Sequence, residues 1–239
     1  MKTRIVIPAR LQSSRLPKKL IKEINGKTLI EHVCLRAKKI QCDSVVVATD
    51  SLSIKSIVEK CNLDCWYSKK IFENGSDRIS ELSKILKYSN NDIIINIQAD
   101  EFHFSLSGIK KLITIMKNKK SIDVATLIFK NKNLEIFNDK NMVKAVIDTD
   151  NNALVFTRLP VPYNNNKTSY IHIGIYAYRV GVIKKYPKLA PSPFEKSEKL
   201  EQLRFLWNNI QIKCVLLKNH SSYSINTQKD LKLARKFKL

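Results

Sequence analysis

The chain has 239 residues, 44% of them hydrophobic, enough to bury a substantial core in one large α/β domain. Its 43 Lys and Arg against 21 Asp and Glu give a formal charge of +22. The lysines are spread along the whole chain among Asn and Ile, with no RNA-binding aromatic signature, zinc finger or continuous basic helix, which argues against nucleic acid and leaves an anionic nucleotide as a fitting partner.

In chain order, Arg4–Pro8 reads as a first strand and Thr28–Ile40 as a helix with Leu29, Ile30, Val33 and Ala37 inward. The MKTRIVIPAR start passes straight into that strand, and no apolar run reaches a membrane-spanning length, so the expectation is a cytoplasmic protein without membrane contact. Ser44–Ala48 predicts a second strand and Leu52–Cys61 a helix. Asp77–Tyr88 is a further helix, Asp92–Ile97 a buried strand and Ser105–Lys117 a helix. Strands alternating with helices predict a doubly wound, mostly parallel sheet.

After Asp123 the segments DVATLIF, VKAVID, ALVFT and YIHIGIYAYR are strand-rich, which predicts a mixed or antiparallel C-terminal extension. Asn164–Lys167 reads as a polar turn, Pro187–Pro193 as a loop, Glu198–Trp207 as a helix, Gln211–Leu217 as a strand and Gln228–Phe237 as the closing helix. The layout suggests a single domain, 1–239, with residues 1–120 and 121–239 as its two parts. Five cysteines without a CxxC read as reduced, packed thiols.

Ligands of open α/β sheets bind beyond the carboxyl ends of the strands. The residues there are Pro8–Lys19, Thr49 with Asp50, and Gln98–Glu101. The five glycines complete neither GxGxxG nor GxxxxGK[ST], so a phosphate must be cradled differently. PARLQSSRLPKK, carrying Arg10, Arg15, Lys18 and Lys19, has the cations and backbone donors a triphosphate needs, although a solvated basic loop reads the same way. Asp100 closes a buried strand, where a carboxylate can reach a magnesium ion held between phosphates or, more simply, cap a helix. Gly75 is expected to allow an awkward backbone at a helix start whose N–H groups face an anion. His172 and Tyr176, four apart on one strand, point to the same face.

PAR..SSRLPKK with NGK at 25–27 resembles the nucleotide loop of the 3-deoxy-manno-octulosonate cytidylyltransferases, also called CMP-Kdo synthetases. The resemblance continues in order through ATD at 48–50, NGSDR at 74–78, NIQADE at 96–101, TRLPVPY at 157–163, HIGIYAYR at 172–179, LEQLR at 200–204 and INTQKDL at 225–231. It implies the nucleotide-diphospho-sugar transferase fold and transfer of CMP from CTP to an eight-carbon sugar acid with loss of pyrophosphate, for lipopolysaccharide synthesis. It further implies a Mg²⁺ requirement and a homodimer. Carried over residue by residue, it places Pro8, Ala9, Arg10, Ser14, Arg15, Lys19, Thr49, Asp50, Gly75, Ser76, Arg78 and Gln98 at the nucleotide. Gln98, Arg158, His172, Tyr176, Glu201 and Gln202 go to the sugar acid, and Asp100 and Asn226 to the metal. Arg10, Arg15, Lys19 and Asp100 would carry the catalysis.

The departures from the family pattern are Ala99 and Phe102 around Asp100–Glu101, Phe72–Glu73–Asn74 where a histidine is usual, and Asn226 where a second metal-binding aspartate is usual. They leave open a modified octulosonate, such as an amino derivative, another acidic sugar, or a non-catalytic nucleotide-binding homologue.

Overall fold

The computed structural model describes residues 1–163, 169–218 and 222–237, so the turn expected at Asn164–Lys167 lies outside the described residues. The strands are β1 (Thr3–Ala9), β2 (Glu23–Ile24), β3 (Lys27–Thr28), β4 (Ser44–Thr49), β5 (Asp64–Tyr67), β6 (Ile93–Ile97) and β7 (Glu101–His103). They continue with β8 (Val124–Asn131), β9 (Lys144–Ile147), β10 (Ala153–Thr157), β11 (Ser169–Arg179), β12 (Ile212–Leu217) and β13 (Tyr223–Ser224). The helices are α1 (Leu29–Ala37), α2 (Leu52–Lys60), α3 (Gly75–Ile85), α4 (Leu106–Asn118), α5 (Leu134–Asn138), α6 (Val180–Ile183), α7 (Pro193–Glu198), α8 (Leu203–Trp207) and α9 (Gln228–Ala234).

Parallel β5, β4, β1 and β6 form the N-terminal half of one sheet, and β11 then pairs antiparallel with β6. The other edge of β11 carries β8, which β12 joins in parallel, and β9 and β10 complete the mixed half. Alternation along the strands divides the apolar residues between two layers. Ile5, Ile7, Ile93 and Ile95 meet α1, α2 and α4 on one face, while Val6, Val46 and Ile94 meet α3, α6 and α8 on the other. Polar side chains fix the helix starts. Thr28 and Glu31 form a capping box on α1, Ser51 caps α2, Asn74 caps α3 and Ser105 caps α4, and each satisfies N–H groups a first turn leaves free.

Three features differ from the sequence reading. The helix expected over Glu198–Trp207 is present only as α8, because α7 ends at Glu198 and a turn separates the two. Lys199 between them adopts a left-handed backbone with φ 55°, and the Glu198 carboxylate is held by the Thr157 hydroxyl and the Arg158 backbone N–H. Glu201 and Gln202 therefore sit in a turn that faces inward and not on an exposed helix face. The Pro187–Pro193 segment overlaps a three-residue turn of 3-10 helix at Tyr186–Lys188. Gly75 lies in the first turn of α3 with ordinary helical φ, so it serves space and not backbone strain.

Candidate active site

The carboxyl ends of β1, β4 and β6 open onto a cavity of about 270 Å³, lined among others by Pro8, Arg10, Ser14, Arg15, Lys19, Gly75, Arg78, Gln98 and Asp100. A Cβ on Gly75 would lie 3.5 Å from Pro8 Cγ and 3.6 Å from Gln98 Nε2, so its absence leaves that volume to the cavity. Ala9, Thr49 and Ser76 are buried just behind it. Thr49 accepts from Ser51 N–H at 3.2 Å, and Ser76 donates its backbone N–H to Glu201 at 3.0 Å. Asp50 accepts from Leu11 N–H at 3.2 Å and from Arg78 at 2.9 Å, tying the basic loop to α3. Ala9, Thr49, Asp50 and Ser76, expected at the nucleotide, therefore do not line the cavity themselves but support residues that do.

Lys19, Asp100 and Asn226 meet at the cavity's edge. Lys19 Nζ donates to Asp100 Oδ2 at 2.5 Å, to Ile225 O at 3.2 Å and to Asn226 Oδ1 at 3.3 Å, while Arg15 donates to the same amide oxygen at 2.9 Å. The β7–β13 ribbon brings this C-terminal segment back to Asp100, whose carbonyl accepts from Ile225 N–H at 2.9 Å. The capping box of Thr227 and Asp230 on α9 leaves the Asn226 side chain to face the cations. Capping and cavity-facing roles thus fall on neighbouring residues.

Asp100 and Asn226 could both offer a side-chain oxygen to a cation at this corner. Asp100 Oδ2 and Asn226 Oδ1 already converge on one ammonium group, and among the described residues no group of three His, Cys, Asp or Glu side chains could hold a metal. A cation held there by two side-chain oxygens would need phosphate oxygens and water to complete its shell.

A second cavity, of about 690 Å³, shares Gln98 and Glu201 with the first and is lined by His172, Tyr176, Gln202 and Asn226. It lies against β11, where the register jumps between Ile173 and Tyr176, so that two residues bulge out of the pairing with β8. Because the bulge adds two, His172 and Tyr176 keep one face, their rings 5.2 Å apart. Gly174 within HIGIYAYR is the sequence signal for such a bulge. Tyr176 Oη and Gln202 Nε2 are buried without a hydrogen-bond partner among the described residues, which leaves a donor at each for a ligand. Arg158 stands apart from these groups. Its guanidinium donates to Glu198 O at 2.8 Å and Lys140 O at 3.1 Å, pinning the end of β10 to α7.

Burial pulls the His172 imidazole down to about 3, and its Nε2 lies 3.0 Å from Thr126 Oγ1. In the unfolded chain an imidazole titrates near about 6.5. Between those values the unfolded state binds the extra proton, so stability should fall as pH drops from about 6.5 towards 3. His172→Gln should flatten that segment of a stability-versus-pH curve measured by denaturant unfolding; the same slope in both proteins would place the responsible group elsewhere.

A parallel sheet with a glycine-free basic loop at the end of β1, a carboxylate at the end of β6 and a second polar cavity alongside defines a nucleotidyltransferase site. Residues 4–212 match the cytidylyltransferase family. The 3-deoxy-manno-octulosonate cytidylyltransferase of Francisella tularensis subsp. holarctica is 37% identical over 97% of this chain and 96% of its own. That of Nitratiruptor sp. is 39% identical over 95% of this chain and 96% of its own. A solved CMP:2-keto-3-deoxy-manno-octonic acid synthetase complexed with CTP superposes with a TM-score of 0.91 at 33% identity, covering 98% of this chain and 97% of that one. The fold alone extends to a putative glucose-1-phosphate thymidylyltransferase from Bacillus anthracis, with a TM-score of 0.69 at 15% identity over 99% of this chain and 97% of that one. The chain belongs to the cytidylyltransferase family, among the 3-deoxy-manno-octulosonate cytidylyltransferases.

Proposed function

We propose that the protein transfers CMP from CTP to 3-deoxy-manno-octulosonate with release of pyrophosphate, supplying the activated sugar for lipopolysaccharide synthesis. The observation that carries this is the pair of cavities joined at Gln98 and Glu201, one cationic and one lined by hydrogen-bonding groups. Arg10, Arg15 and Lys19 would hold the triphosphate, with the forked Arg donors fixing its orientation and Lys19 adding a point charge. The anomeric hydroxyl of the sugar, entering from the second cavity, attacks the α-phosphorus in line as pyrophosphate leaves. Catalysis of this kind is positioning and charge neutralisation.

Mg²⁺ is the cation this reading requires, held by Asp100 and Asn226, and when bound it supplies Lewis-acid neutralisation of phosphate charge. Arg78, fixed by Asp50, and the open space at Gly75 support the placing of the cytosine end near α3. A cytoplasmic setting and a homodimer belong to the same reading. The dimer is supported by exposed Leu154 and Val155 on β10 and by the exposed, edge-to-face pair Phe194 and Trp207.

The test is pyrophosphate release with each of four nucleoside triphosphates, Mg²⁺ and the sugar acid. CTP should be used best, UTP less well and the purines barely; equal use of ATP would overturn the reading.

Asn226 offers a second check. A neutral amide attracts a divalent cation less than a carboxylate, by a Coulomb term on the order of a few kcal/mol near a surface. Asn226→Asp should lower the Mg²⁺ concentration for half-maximal activity severalfold. Superimposable magnesium titrations would remove Asn226 from the metal site.

A further inference from the structure

Three of the five cysteines gather at one place, outside the lining of both cavities. Cys34 lies within α1 and is fully buried, Cys61 ends α2 and is partly exposed, and Cys65 lies on β5 opposite Val47 of β4. α1 and α2 meet here. Lys38, one turn beyond Cys34, donates its Nζ to Cys61 O at 3.1 Å, and all three cysteines belong to the same apolar layer. Within it the Cys34 thiol donates a hydrogen bond to the Cys61 sulfur. That bond, aided by the Lys38 ammonium, draws the Cys61 thiol down to about 7 against the opposing effects of burial and the Glu31 carboxylate. The same bond, together with burial, pushes the Cys34 thiol up and keeps it the donor. The carbonyl end of α2 disfavours an anion at Cys61, but Lys38 occupies that carbonyl. Burial holds the Cys65 thiol up at about 11. One partly exposed, acidified sulfur thus rests against one buried, protonated sulfur, which is the arrangement of a reactive thiol and its resolving partner.

We propose that Cys34 and Cys61 form a reversible oxidation site, at which a peroxide oxidises Cys61 and Cys34 then closes a disulfide between α1 and α2. The Cys61 thiolate attacks one peroxide oxygen and the O–O bond breaks. The leaving hydroxide recovers the proton Cys61 had lost, giving water and a sulfenic acid on Cys61. The sulfenic acid carries no charge to hold the Cys34 proton. The Cys34 sulfur attacks Cys61 Sγ, the S–O bond breaks, and the departing hydroxide takes the Cys34 proton as a second water. Two thiols lose two electrons in all, and one hydrogen peroxide is reduced to two waters. Cys61 is the member that meets the oxidant, and Cys34 needs no access to solvent because its partner already touches it. The inference stands apart from the transfer reaction, since neither thiol lines a cavity.

The test treats the reduced full-length protein with hydrogen peroxide, alkylates the remaining thiols, and maps the digest by mass spectrometry. A peptide pair joined through Cys34 and Cys61 is expected, lighter by two hydrogens than its separate parts and released by dithiothreitol. Cys65→Ser should give the same linked pair. In Cys34→Ala no linked pair should form, and Cys61 should be trapped by dimedone as the sulfenic acid or pass on to the sulfinic acid. Iodoacetamide should also alkylate Cys61 severalfold more slowly in that variant near pH 7, because the hydrogen bond that favours the thiolate is gone. Cys61→Ser changes only a partly exposed position and keeps the test open if Cys34→Ala fails to fold. In it Cys34 should remain a free thiol under the same peroxide. Sulfinic acid on wild-type Cys61 without a linked pair, a bridge from Cys61 to Cys65, two unreacted thiols at Cys34 and Cys61, or oxidation of Cys34 in Cys61→Ser would each overturn the inference.

Discussion

Replacing Asp100 with Ala is expected to lower turnover roughly a hundredfold or more while leaving the protein folded. Asp100 follows β6 beside the cavity, and its carboxylate pairs with Lys19. Its removal takes away no core volume, because the apolar layers are formed by the strand interior, Ile93–Ile97. What is lost is the anionic anchor at the point where phosphate charge develops. Removing one such preorganised charge contact typically costs about 3 kcal/mol of transition-state stabilisation, which is the hundredfold. The loss should fall on kcat, with an unchanged melting transition. A rate near that of the wild type at saturating Mg²⁺ would show that the metal corner lies elsewhere.

The largest stability effect is expected at Glu195, away from both cavities. Arg204 Nε donates to Glu195 Oε2 at 2.8 Å and its NH2 to Oε1 at 2.7 Å, with both side chains nearly enclosed. The guanidinium also lies over the Tyr186 ring, 4.5 Å from its centroid. Tyr186 Oη in turn donates to Glu201 O at 3.1 Å, so this buried pair supports the turn that carries Glu201 to the junction of the two cavities. Glu195→Ala leaves Arg204 charged, buried and without its carboxylate partner, a loss of about 3–5 kcal/mol for breaking such a pair from one side. For a chain of this size that corresponds to a fall in Tm of about 10 °C, measurable by calorimetry. Glu195→Gln, which keeps the shape and some of the hydrogen bonding, should fall between. An unshifted Tm in Glu195→Ala would mean that the turn is held by other contacts.

The sequence carried the doubly wound half of the fold because its signals are local there. SVVVA and DIIINI are short apolar runs closed by polar residues, and the helices beside them show a 3.6-residue period. The basic loop and Asp100 were legible for the same reason, as polar residues at strand ends. The β7–β13 ribbon was not legible, since two short strands from distant stretches of the chain leave no periodicity, and with it went the physical reason why Asn226 reaches Arg15 and Lys19. The break between α7 and α8 was hidden because LEQLRFLW has helical periodicity, which the left-handed Lys199 and the contacts of Glu198 override. Arg158 shows the opposite limit, since a cation beside a strand has the right chemistry for a carboxylate but spends its donors on backbone carbonyls.

The most direct test of the central claim is the sugar dependence of pyrophosphate release from CTP, followed by mass spectrometry of the products. With Mg²⁺ and 3-deoxy-manno-octulosonate together, the account predicts stoichiometric pyrophosphate and a covalent CMP–sugar adduct, with neither formed when the sugar is omitted. Nucleotide binding without any adduct, or release of pyrophosphate that ignores the sugar, would contradict it.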